Sequence, residues 1–291
     1  MGKRVFRIPY TKMQAQGNNY IYCDFTGHDL PVELDLNKFA IFVSDQNIGI
    51  GSDGLVCLFE DKEADVLMRI WNSDGSEAMN CGSALRSITA YLYNRKKIRK
   101  DRYRIKTKAG IFESYIADKA LSYHTTVVLS GVEKLRSDSQ TSKNDESLVD
   151  VEGWKGVPVS VGNPHFVLFD KHQNHDCFEL PSIDIKSISE KINGAPYFKE
   201  GANIEFVAVE DSKRVKARVW ELGSGETQAC GTGACAIAYA GFTLGILERE
   251  VEIVYPGGSV SVVLKVEGSD CHLSGEVRIV SDGEVYYEQD L

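Results

Sequence analysis

The sequence predicts a mixed α/β protein of two similar halves. Each is a curved, barrel-like mixed sheet around a central helix, with a pseudo-two-fold axis between the halves. Three observations lead there. Strand-like runs rich in Val, Ile and Tyr dominate the chain, only two segments read as buried helices, and the landmarks of the first half recur in order in the second.

The strand-like runs are 19–24 (NYIYCD), 65–71 (DVLMRIW), 125–129, 157–161, 165–169, 204–209, 215–220, 251–254 and 259–266, each bounded by Gly, Asp or Ser. The helical segments are 83–93 and 234–247, and each follows directly on a Cys-Gly. The polar stretch 136–150 has almost no apolar residues and reads as a surface loop or hairpin tip. The repeat is carried by paired landmarks. Gly17-Asn18 and Gly162-Asn163 each open a strand, 145 positions apart, while Glu77 and Glu226 each stand four residues before a Cys-Gly, 149 positions apart. These place the N-terminal half at 1–124, completed by 276–291, and the C-terminal half at 125–275.

Composition narrows the function. With 43% hydrophobic and 26% charged residues the chain has a real core. A net charge of −9 argues against a nucleic-acid partner, which requires a basic face. The first residues, MGKRVFRIPYTKM, lack the apolar centre of an export signal, and no apolar run reaches the roughly 18 residues of a membrane span. The seven scattered cysteines are then expected as free thiols in a reducing, cytoplasmic setting.

Two of these cysteines carry the chemistry. A thiol at a helix start lies in the positive field of unsatisfied N–H groups, which favours the thiolate and can also hold a ligand carboxylate. Doubling that arrangement across a pseudo-two-fold axis sets Cys81 and Cys230 on opposite faces of one carbon. That suits a stereo-inverting reaction, with a base on one face and an acid on the other. The N–H groups near Gly82, Ser83, Gly231 and Thr232 are candidates for stabilising the charge that develops on the substrate carboxylate. A lone cysteine before a helix is more often a small buried hydrophobe; the matched Glu-x-x-x-Cys-Gly context separates this pair from that case.

The segments 12–24 (KMQAQGNNYIYCD), 48–56 (IGIGSDGLV), 68–82 (MRIWNSDGSEAMNCG), 159–169 (VSVGNPHFVLF), 202–207 (ANIEFV) and 223–236 (GSGETQACGTGACA) resemble the diaminopimelate epimerases, in family order and over nearly the whole chain. The resemblance implies a two-domain isomerase of lysine and peptidoglycan-precursor synthesis, with the active site in the interdomain cleft, no pyridoxal phosphate, no metal, and Cys81 and Cys230 as the acid/base pair. It implies substrate contacts at Asn18, Asn72, Asn163 and Asn203, with Glu221 near the distal amino group. It further implies that His165 and Glu226 orient groups around the thiols, and that Gly82, Ser83, Gly231 and Thr232 form the anion-binding helix starts. The chain departs from the family at Leu222, where an Arg normally pairs with the distal carboxylate, and at Ser83, Asn19 and Gln46.

Other signals are weaker. The run Gly49-Ile50-Gly51-Ser52-Asp53-Gly54 matches a dinucleotide fingerprint, but a strand is expected after it rather than the required helix. Cys230, Cys235 and the distant histidines lack the tight spacing of a zinc site. His172 and His175 read as solvated, and Trp71, Trp154 and Trp220 as core or rim. Two other functions remain open: a racemase of a different amino acid on the same scaffold, suggested by Leu222, and a proline-racemase-like dehydratase or catalytically silent amino-acid-binding protein. A small amino-acid substrate is the expected partner, no membrane or nucleic acid is, and a homodimer is left open.

Overall fold

A computed structural model of the chain describes residues 3–28, 30–31, 33–118, 121–135, 148–173, 178–265 and 270–290. The polar stretch lies outside them from 136 to 147, as do His175 and Cys177. The chain divides into two compact units, Met1–Val127 with Gly275–Leu291, and Val128–Ser274.

In the first unit, strand Lys3–Ala15 lies antiparallel to both Arg278–Asp290 and Asn18–Asp24. Gln16 and Gly17 turn the chain between them at φ 50° and 83°. Two successive positive φ values are what a two-residue hairpin matched to strand twist requires. Asn18–Asp24 runs parallel to Gly54–Phe59, which pairs antiparallel with Val66–Asn72. Val66–Asn72 is parallel to Tyr103–Thr107, and Gly110–Asp118 and Leu121–Leu129 follow antiparallel.

Each parallel pair needs a crossover, and each has a helix. Helix α1 (Leu36–Ser44) makes the first and helix α2 (Gly82–Asn94) the second. Asp35 caps α1 by accepting from the Asn37 and Lys38 N–H groups, a contribution of about 1 kcal/mol. Leu36, Phe39, Ala40 and Val43 face the sheet and pack on Ile21, Leu55 and Trp71. Helix α2 is buried on almost every side, because the sheet wraps round it. The wrap is completed where the Val277 N–H donates to the Tyr123 carbonyl at 2.8 Å, beside the start of Arg278–Asp290.

The second unit repeats this plan. Trp154–Ser160 pairs antiparallel with Pro164–Phe169, which runs parallel to Asn203–Asp211; Arg214–Glu221 follows antiparallel, and Glu250–Tyr255 parallel to it. Gly258–Leu264 and Cys271–Glu276 complete the series, both antiparallel. Helix α3 (Ile185–Asn193) makes the first crossover and helix α4 (Gly231–Thr243) the second. The order of antiparallel and parallel pairings is therefore the same in both units, as the internal repeat predicts.

Side chains repeat too. Trp71 lies opposite Glu77 in one unit and Trp220 opposite Glu226 in the other. Arg69 Nε donates to Glu77 at 2.7 Å, and Arg218 Nε to Glu226 at the same distance. Each pair is partly exposed and worth about 0–1 kcal/mol. Their effect is to fasten the short strand that leads into each cysteine.

The expected helix at 83–93 is found as Gly82–Asn94, but that at 234–247 is shifted to Gly231–Thr243. Gly231 and Gly233 are helical here. The helix ends early because Gly245 takes φ 71° and Leu247 folds back onto Gly241. Helices α1 and α3 were not expected at all.

Candidate active site

Each central helix begins on a cysteine in extended conformation. Cys81, at φ −155° and ψ 121°, is the N-cap of α2; Cys230, at φ −125° and ψ 119°, is the N-cap of α4. The backbone N–H groups of the first turn have no partner within the helix and leave the end positively polarised toward each sulfur.

Around Cys81 the structure gathers three other residues of the first unit. Asn18 Nδ2 donates to Ser83 Oγ at 2.9 Å and approaches the sulfur at 3.7 Å, and Ser83 Oγ lies 3.0 Å from the same sulfur. Asn18 reaches this position because the Gln16–Gly17 turn starts its strand beside the helix. The buried Tyr20 phenol lies against the thiol, and burial first, then the neighbouring Cys81, raise its pKa, so it stays a hydrogen-bond donor. Asn72, at the end of its strand, donates to Ser76 Oγ at 3.0 Å and is exposed. An open cleft of about 580 Å³ lies beyond Asn19, lined by Lys12, Gln46, Ser52 and Asp53 among others, and Cys81 is not in its wall.

The Cys230 environment is more buried and more charged. Its sulfur accepts from the Gly233 N–H at 3.4 Å and lies 3.4 Å from Thr232 Oγ1. Burial pushes the thiol well up from its ordinary value, and the Glu221 and Glu205 carboxylates add to the shift. Glu221 accepts from Thr227 Oγ1 and touches Cys230; burial raises its own pKa against those hydrogen bonds. Asn203 Oδ1 accepts from the Leu222 N–H at 2.9 Å. His165, fully buried, reaches Glu205 Oε1 through Nδ1 at 2.7 Å and Asn163 Oδ1 through Nε2 at 3.1 Å.

A sequence model of diaminopimelate epimerases matches residues 10–131 and 157–280 of this chain. The chain belongs to the diaminopimelate epimerase family. It is 35% identical to a diaminopimelate epimerase of Bacillus licheniformis over 287 residues, covering 95% of this chain and 98% of the relative. With that of Geobacillus thermodenitrificans it shares 36% over 293 residues, at 97% and 98% coverage. Family membership makes the protein an isomerase of the epimerase class.

Solved structures show that the fold is wider than the family. A PhzF-family phenazine biosynthesis protein of Enterococcus faecalis superposes with a TM-score of 0.68 at 16% identity, covering 97% of this chain and all of that one. A hydroxyproline epimerase from Agrobacterium vitis gives 0.64 at 13%, with coverage of 96% and 92%.

Glu226, expected to orient groups around the thiol, accepts from both Arg218 Nε and Nη2, at 2.7 and 3.0 Å. It tethers the strand before Cys230. His172, read as solvated, lies edge-on to Phe169 at 6.3 Å. The sequence also gave no role to Tyr20, to Glu205, or to Tyr255, a buried phenol near Cys230 and Glu205. Glu205 left a visible signal, an acidic residue inside the apolar run ANIEFV. The phenols left none, because a tyrosine in a strand looks like core.

Proposed function

We propose that this enzyme interconverts LL- and meso-diaminopimelate without a cofactor, with Cys81 and Cys230 acting on opposite faces of one Cα. The observation that supports this best is the repeated N-cap: a cysteine in the same extended geometry at the start of the central helix of each unit. The substrate comes from the relatives named above, which are diaminopimelate epimerases.

In one direction the Cys81 thiolate takes the Cα proton, and the C–H electron pair moves into the substrate carboxylate. The first-turn N–H groups at Gly82, Ser83, Gly231 and Thr232 stabilise that charge. The Cys230 thiol then gives its proton to the other face, and the carboxylate's charge returns as the new C–H bond. The enzyme ends with the roles of the two sulfurs exchanged. Burial and nearby carboxylates hold Cys230 in its neutral form, the state a donor needs. Asn18 and Ser83 supply hydrogen bonds to the Cys81 sulfur.

Replacing either cysteine by serine should remove interconversion, because an alkoxide is far too costly a base at neutral pH. The measurement is chiral chromatography of LL- and meso-diaminopimelate, with deuterium uptake at Cα followed in parallel. Full activity in Cys81→Ser ends the two-base assignment. Activity lost to EDTA and regained with a metal ends the cofactor-free one.

Leu222 supports a second reading, a racemase of an amino acid without a distal carboxylate. Its side chain is 50% exposed and rests over Gly201, where the family resemblance implies a carboxylate-binding Arg. Losing an Arg–carboxylate pair costs about 2–5 kcal/mol. If this second reading holds, Leu222→Arg should raise kcat/KM for diaminopimelate by at least about tenfold. Efficient wild-type turnover with no gain in the variant retires it.

A further inference from the structure

Glu205 stands out from its strand. Residues Asn203 to Val207 are all buried, and Ile204 and Phe206 join the core under α3. Strand alternation puts Asn203 and Glu205 on the other face, and Glu205 lies against α4. There a Cβ built on Gly233 would come within 2.7 Å of Glu205 Oε1 and 3.4 Å of Cys230 Sγ. The carboxylate and the sulfur thus flank the same glycine. Both Glu205 and His165 side chains are 0% exposed. Glu205 Oε2 has no hydrogen-bond partner among the described residues, and neither has the buried Tyr255 hydroxyl close by.

A purely structural role fits this poorly. A buried polar pair replaced by apolar side chains of similar volume is often neutral or stabilising, and an unpartnered buried oxygen adds a further cost. A polar pair in this place is explained better by what it does to the imidazole. A carboxylate on one ring nitrogen of a histidine fixes both the tautomer and the ring plane.

We propose that Glu205 is a positioning residue of the Cys230 site: its carboxylate accepts from His165 Nδ1–H and fixes the ring with Nε2 as an acceptor facing the Asn163 amide, which donates to it through Nδ2 once that amide is turned about. The proposal rests on the reading of Cys230 as one of the two acid/base groups. Asn163 and His165 occupy the positions of Asn18 and Tyr20 in the repeat, the two residues whose counterparts touch Cys81. The second unit therefore reaches its cysteine neighbourhood with an orientable ring where the first uses a phenol, and the ring is the one that needs a holder.

Two variants test this, Glu205→Leu, which removes the acceptor, and Glu205→Gln, which keeps one. The first readout is the ¹⁵N and ¹H NMR spectrum of His165, which needs no activity. The wild type should show a protonated, hydrogen-bonded Nδ1 with a downfield, slowly exchanging proton; Gln should retain it and Leu should lose it. The second is kcat, expected to fall about 10- to 100-fold in Leu and less than tenfold in Gln, with little change in KM. Deuterium exchange at Cα should slow more when Glu205→Leu is placed in a Cys81→Ser background than in Cys230→Ser. Unchanged kcat in a folded Glu205→Leu variant overturns the proposal. So does a Gln variant that keeps the Nδ1 proton yet loses as much activity as Leu. A wild type without Cα exchange would instead remove the two-cysteine reading, leaving the His165 spectrum to judge Glu205.

Discussion

Glu221 and Cys230 share a burial cost that makes folding stability depend on pH in a definite direction. The pKa of Glu221 is raised in the folded protein above its ordinary value of about 4.3. Between those two values the native state binds more protons than the unfolded chain, so stability falls as pH rises through that window. Above the folded value the full penalty is in force. Glu221→Gln should therefore melt above the wild type at pH 7, with the gap closing as pH falls below about 4. A Gln variant that melts lower at pH 7 contradicts this. The thiols of Cys230, Cys23 and Cys57 are raised by burial as well. Their unfolded forms ionise first, so stability should fall again above about pH 8.5 in melts run to alkaline pH. At this scale repeated motifs marked Cys81, Cys230, Asn18 and Asn163, whereas Asn72, Asn203 and His165 were expected only from the family resemblance. The sequence did not show which carboxylate each would meet. Glu205 lies 40 residues from His165 in the chain and meets it only through parallel strand pairing.

Helix α4 shows how two local effects of opposite sign compete within an element. Gly→Ala within a helix normally gains about 0.5–1 kcal/mol. At Gly233 the added carbon meets Glu205 Oε1 at 2.7 Å, and overpacking of a tight core costs about 1–3 kcal/mol. The clash should win. Gly233→Ala is expected to lose stability in urea, and Glu205→Asp in the same chain to return part of it; a stabilised single variant would show the carboxylate free to move. Strands were readable from composition, and the nine expected ones are all present with ends shifted by a few residues. The helices were harder. Helix α3 carries Ile185, Ile188 and Ile192 at helical spacing between an Asp184 cap and Gly194, a legible pattern that was passed over. Helix α1 is short, and its LNKFAIFVS reads equally well as a strand. Only packing on Ile21 and Leu55 decides it.

The first unit is discontinuous, and that makes it the weaker of the two against truncation. Strand Arg278–Asp290 pairs with Lys3–Ala15 from Lys3 to Gln14, and its Val285 and Tyr287 enter the core with Phe6, Ile8 and Phe39. A chain stopped after Val277 should lose protection from proteolysis across residues 3–127 while keeping it across 128–274. Uniform protection, or uniform loss, would show that the units do not fold separately. The two-fold repeat itself was legible because it is written in short motifs, whereas no motif marks the return of the final strand, which shows only in its pairing with Lys3–Ala15. The same pairing fixes an order of events during synthesis. Lys3–Ala15 leaves the ribosome long before Arg278–Asp290, the strand that covers its edge. Residues 128–274 are contiguous and complete themselves in between. At about 5–20 residues per second, the aromatic edge of Lys3–Ala15 spends roughly 15–60 s without its neighbour. The first unit is begun before the second and closed after it, and for that interval the nascent chain presents an open strand edge with which another chain can pair.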